Sequence, residues 1–109
     1  MPPIWLSNLV ARIQMLAAAR AVSFTLKAQR ELALLELGLD ADDVCDVLQQ
    51  LRTGDFNERF QSVVTEEWMY VFKPRLEGTT LYVKLIVREH CILVSFHEDR
   101  SHGDDEEAV

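Results

Sequence analysis

The sequence predicts an α+β fold, with N-terminal helices packed on a C-terminal antiparallel three-stranded meander. Three observations predict it. The chain has 109 residues, 49% of them hydrophobic and 27% charged, which suits one domain with one modest core. Apolar residues recur at helical spacing between Leu6 and Leu51. From Trp68 onward the pattern changes to alternation of β-branched and aromatic residues with polar ones, interrupted by a glycine-bearing turn.

Each element has its own justification. Leu6, Leu9, Val10, Ile13 and Leu16 form one stripe and, with Ser7 as a candidate N-cap, predict a helix over about 7–19. Val22-Ser23-Phe24-Thr25 reads as a short edge strand, and Thr25 is available to cap the next helix. Leu32 and Leu35 place a second helix over about 26–37, with Gly38 as its C′ stop. Asp40 starts a third helix, with Asp42 and Asp43 in the first turn, where the helix dipole favours anions. Val44, Val47, Leu48 and Leu51 are its buried stripe, and Gly54 ends it. Asp55 can cap a further turn over Phe56–Ser62. Three strands follow, over about 67–76, 79–88 and 91–98, joined at Glu77-Gly78 and Glu89-His90. Residues 1–99 make the single domain, and 100–109 an acidic tail expected to lack order.

Charge is unevenly spread. The net charge is −7, which argues against binding nucleic acid through bulk charge. Residues 1–30 carry +4, 31–67 carry −8, 68–97 carry +2 and 98–109 carry −5. The tail solubilises the chain or, on a sharper reading, mimics an anion and competes for a basic surface of the same molecule. The N-terminal stretch lacks the basic n-region of a signal peptide, and no apolar run is long enough to span a membrane, so a cytoplasmic location is expected. Cys45 and Cys91 then read as small buried hydrophobes. His90, His97 and His102 do not make a plausible zinc set, so no metal and no cofactor are expected.

The strands sort into two faces. A two-residue turn at Glu77-Gly78 sets Phe72 against Val83, Lys73 against Tyr82 and Arg75 against Thr80. A two-residue turn at Glu89-His90 sets Tyr82 against His97, Val83 against Phe96 and Lys84 against Ser95. Trp68, Tyr70, Phe72, Leu81, Val83, Leu85, Ile92, Val94 and Phe96 then share a core face. Lys73, Arg75, Thr80, Tyr82, Lys84, Ser95 and His97 share the other, with no Asp or Glu among them. The plain reading is a solvated face with a Tyr–His packing pair. The sharper reading is an anion site, because an ordinary solvated face mixes signs.

Metal-free RNA cleavage needs few groups. A base takes the ribose 2′-OH proton, cations stabilise the phosphorane, and an acid protonates the leaving 5′-oxygen. His97 can fill either proton role. Tyr82 can act as the acid or orient the substrate. Lys73, Arg75 and Lys84 can hold phosphate. No glycine-rich phosphate loop, HExxH or GxSxG is present.

Residues 30–100 resemble the motility quorum-sensing regulator (MqsR) family of toxins from bacterial toxin–antitoxin pairs. The resemblance runs through LGLD at 37–40, VCDVLQQL at 44–51, DF at 55–56, EWMYVFKPRL at 67–76, LYVKLIV at 81–87 and ILVSFHED at 92–99. It implies a RelE-like toxin fold and ribosome-independent endoribonuclease activity on mRNA. It also implies neutralisation by a cognate antitoxin protein. The family's site is a lysine after the DF element, a glutamine after the tryptophan, the strand tyrosine, and a lysine after the SF pair. Here those positions hold Glu58, with Arg59 beside it as a substitute cation, then Met69, Tyr82 and His97. The sequence therefore points to a metal-independent mRNA endonuclease toxin, with His97, Tyr82 and Lys84 catalytic and Lys73, Arg75 and Arg59 binding phosphate. The rival is a non-catalytic toxin-fold module acting through a protein partner.

Overall fold

The computed structural model describes residues 1–99, so the acidic tail expected over 100–109 lies outside the described residues. The elements run α1 (Ile4–Ala18), β1 (Val22–Phe24), α2 (Leu26–Leu34), α3 (Ala41–Gln49), a 3-10 turn (Thr53–Asp55), β2 (Phe56–Gln61), β3 (Trp68–Phe72), β4 (Arg75–Leu76), β5 (Thr79–Val87) and β6 (Cys91–Glu98). The sheet order is β1-β6-β5-β3-β2, with β4 also on β5. Only β1 runs parallel to its neighbour; the other pairings are antiparallel. The architecture is α+β, but the expected meander is the middle of a larger sheet.

The helices begin and end for local reasons. α1 starts ahead of the expected Ser7 cap, because the Pro3 carbonyl accepts from the backbone N–H of both Leu6 and Ser7. Thr25 caps α2 through its hydroxyl, which accepts from Ala28 N–H at 3.1 Å. α2 stops at Leu34 rather than near 37. Leu35 is extended, and Leu35, Leu37 and Leu39 pack on the core from a connection that turns at residues 36–37 and at Gly38, whose φ is 67°. Asp40 and Asp43 close a reciprocal capping box at α3 (2.8 and 3.0 Å), each accepting the other's backbone N–H.

The stretch 56–62 is not the helical turn expected from an Asp55 cap. Asp55 instead accepts the Arg52 N–H at 2.9 Å inside the 3-10 turn. Phe56–Gln61 then pairs with β3, which offers an otherwise unpaired edge, through a bulge between Phe56 and Glu58. The expected strand 67–76 is split, because Pro74 has no N–H to give the ladder. Its two halves stay on the same side of β5, in the expected register of Phe72 with Val83 and Arg75 with Thr80. Glu77 and Gly78 both have positive φ (51° and 83°), the requirement of a two-residue type I′ hairpin turn.

The β5–β6 turn departs from expectation. Val87 pairs with Cys91, so the loop has three residues, Arg88–His90. A bulge at Val94 absorbs the offset, and Tyr82 still faces His97. The bulge inverts the alternation before it. Cys91 and Leu93, not Ile92 and Val94, are therefore buried with Phe72, Leu81, Val83, Leu85 and Phe96. Residues of α1 (Leu6, Val10, Ile13, Leu16) and α3 (Val44, Val47, Leu48) complete this core. Trp68, expected in the core, is 41% exposed at the sheet margin. α2 packs along β6, beyond the end of β1.

Candidate active site

The face away from α1 and α3 is assembled by register. Tyr82 pairs with His97, and Lys84 with Ser95 and Val71. The Tyr82 and His97 rings are stacked, with centroids 4.9 Å apart and planes 10° from parallel. His97 Nδ1 lies 2.7 Å from the Glu98 carbonyl, which can only accept, so Nδ1 carries the proton. In the neutral ring Nε2 is then the basic nitrogen. Lys84 Nζ sits 5.7 Å from the Phe60 ring centroid, on the same face.

Carboxylates also reach this face, against expectation. Lys73 Nζ is 3.6 Å from Asp99 Oδ2, and the Asp99 side chain is only 10% exposed. Glu58 is paired with Val71, and pairing through Val71 and Lys84 puts it on the Tyr82 side. Glu31 comes from α2, where it bonds Lys27 and the Phe96 backbone. Burial pushes the Tyr82 phenol above its ordinary value, and the charges of Glu58, Asp99 and Glu31 push it further. Burial also raises Glu31, but the Lys27 hydrogen bond, the Phe96 N–H and the charges of Lys27 and His97 outweigh it and hold its carboxyl below the usual range. Sequence alternation could not find Glu31 or Glu58, because one lies on a helix and the other on a strand misread as helical. Asp99 sits one residue past the last expected strand.

The remaining cations are placed differently. Arg75 is held at the β4–β5 turn, donating to Thr80 Oγ1 at 3.3 Å and the Gly78 carbonyl at 3.4 Å. Arg59 does not join Tyr82. It pairs with Tyr70 and faces the helices, with its guanidinium 4.1 Å from the Trp5 ring and 4.5 Å from the Trp68 ring. Trp5 in turn meets Phe56 edge to face at 5.5 Å. Cys91 is buried, and burial pushes its thiol up to about 11, so it is an inert packing residue. Among the described residues no three His, Cys, Asp or Glu side chains are gathered to hold a metal ion.

A family model described as "Motility quorum-sensing regulator, toxin of MqsA" matches residues 7–98. The chain belongs to this toxin family. A relative, the mRNA interferase toxin MqsR of Escherichia coli (strain K12), is 37% identical over 67 residues. That alignment covers 58% of this chain and 65% of the relative, so it spans slightly under two thirds of the relative's length. The four positions marked by the family resemblance, Glu58, Met69, Tyr82 and His97, all fall on the single sheet face just described: Met69 alternates with Val71 on β3.

Proposed function

We propose that this chain is a toxin of a type II toxin–antitoxin system that cleaves mRNA without a ribosome and without a metal ion. It acts in the cytoplasm as one domain over residues 1–99, and a cognate antitoxin protein neutralises it. The observation that carries the reading is the Tyr82–His97 stack, with Lys84 and Lys73 beside it on the face that holds all four family positions. No helix among the described residues is long and apolar enough to cross a membrane.

The chemistry follows from the groups. His97 Nε2 takes the proton of the ribose 2′-OH, and the 2′-oxygen attacks phosphorus. The P–O5′ bond breaks, and the Tyr82 O–H supplies the proton to the 5′-oxygen. A raised phenol pKa keeps Tyr82 protonated for that task. Lys84 and Lys73 neutralise the developing charge, with Arg75 holding phosphate further along the strand. RNA must draw Lys73 away from Asp99.

The test is cleavage of a mixed-sequence RNA by the full chain in EDTA. Fragments ending in 2′,3′-cyclic phosphate or 3′-phosphate are expected. Both H97A and Y82F should slow cleavage, the former by roughly 10²- to 10⁴-fold. Intact RNA at high protein excess, or an H97A variant as fast as the parent, overturns the assignment. Intact RNA would point to the partner-binding module instead.

A further inference from the structure

Helix α2 takes the place of a strand along part of β6. β1 accompanies β6 only as far as the pairing of Phe24 with Leu93. Beyond it, Thr25 N–H donates to the Leu93 carbonyl at 3.0 Å, and Thr25 Oγ1 to the Val94 carbonyl at 3.3 Å. Glu31 Oε1 accepts the Phe96 N–H at 2.9 Å. Lys27 Nζ donates to Glu31 Oε2 and to Ser95 Oγ, both at 2.7 Å. Each residue from Leu93 to Phe96 is therefore bonded by the α2 cap or its first turns. Ser95, the one buried polar residue among those described, is 1% exposed, and Lys27 satisfies its hydroxyl.

This same stretch contains the bulge. Lys84 pairs with Ser95 but Leu85 with Leu93, which leaves Val94 as the extra residue. The bulge decides which face each later residue takes. With it in place, Leu93 and Phe96 are both buried, and His97 meets Tyr82. A one-residue slip of the segment would turn His97 toward the helices and Phe96 out.

We propose that Glu31 and Lys27 are positioning residues of the candidate site: they hold the β6 bulge in the register that presents His97 to Tyr82. The proposal rests on the reading of His97 as the base. It separates from that reading because the geometry can be measured without RNA. Stacking on Tyr82 shifts the His97 imidazole protons upfield in the proton NMR spectrum of the full chain, and H97A identifies those signals. E31A is expected to lose most of that shift and to lower kcat roughly 10- to 100-fold, as a misplaced catalytic group does. Its KM should stay within about twofold. E31A should add nothing in an H97A background, because it acts through His97. E31Q retains an oxygen for the Phe96 N–H and should recover most of both signals.

If E31A does not fold, K27M carries the test, since it frees Ser95 but leaves the Glu31–Phe96 bond. An unchanged shift in folded E31A and K27M overturns the proposal whatever happens to RNA. An E31A loss that adds fully to that of H97A also overturns it. A lost shift with unchanged cleavage supports the positioning role and overturns the role of His97 as base.

Discussion

At the residue scale, Tyr82 is where the electrostatics of the site concentrate. Its phenol is favoured in the neutral form by burial and by three carboxylates, of which Glu58 acts most strongly. The folded pKa lies above the unfolded value of about 10. The neutral phenol therefore contributes stability that is fully present below about pH 10 and is lost as pH rises through the folded value. The same charges oppose an incoming phosphate. E58Q should lower the Tyr82 titration midpoint, read by ultraviolet absorbance against Y82F. It should also tighten RNA binding by about fivefold, the effect of removing roughly 1 kcal/mol of repulsion. Unchanged binding in E58Q would place Glu58 away from the RNA path. Met69, by contrast, offers no strong hydrogen bond and can contribute only packing or contact with a base.

At the element scale, β2 depends on a side-chain pillar. Its residues after Phe56 are exposed, and the strand it pairs with is β3 alone among the described residues. Arg59 compensates by stacking on Trp5 of α1 and Trp68 of β3 at once, which ties an edge strand to a helix. Two such contacts are worth about 1–2 kcal/mol together. R59A should lose about that much in denaturant unfolding followed by tryptophan fluorescence. Its effect on RNA binding should be smaller than that of K84A, because Arg59 faces the helices. A larger binding defect in R59A than in K84A would mean that RNA wraps around the β2 edge. The alternation of Phe56, Glu58 and Phe60 did not announce a strand, since Asp55 also offered a helix cap. The free edge of β3 settles the competition by supplying ladder partners for the backbone.

At the scale of the whole molecule, the proposed function requires an acidic protein to meet a polyanion. The net charge of −7 leaves long-range attraction to RNA absent, and the segment 31–67 repels it. Binding then depends on few local contacts. With Lys73, Arg75 and Lys84 as the phosphate-binding set, log K for a single-stranded RNA should fall with log salt at a slope near −2. A fluorescence titration from low to moderate salt reads this directly. A slope several times steeper would show that many more cations are engaged than this face holds. The expected absence of acidic groups from the face failed for the same reason that makes the fold compact. Glu58 and Glu31 come from a strand and a helix that lie apart from the meander in sequence, and Asp99 is the residue just past its last strand.

The sequence alone determined the α+β class, the Thr25 and Asp40 caps and the Glu77-Gly78 turn, because each follows from short-range chemistry. It also determined that Tyr82 faces His97 and Lys84 faces Ser95, although through a turn of the wrong length. The bulge at Val94 restores the register that the three-residue loop offsets. Only the tertiary structure decided that Phe56–Gln61 is a strand, that Arg59 points to the helices, and that Glu31 and Lys27 clamp β6. Those outcomes turn on which edges remain unpaired once the sheet is assembled. An unpaired edge is a property of the assembled sheet, which no local pattern of residues encodes.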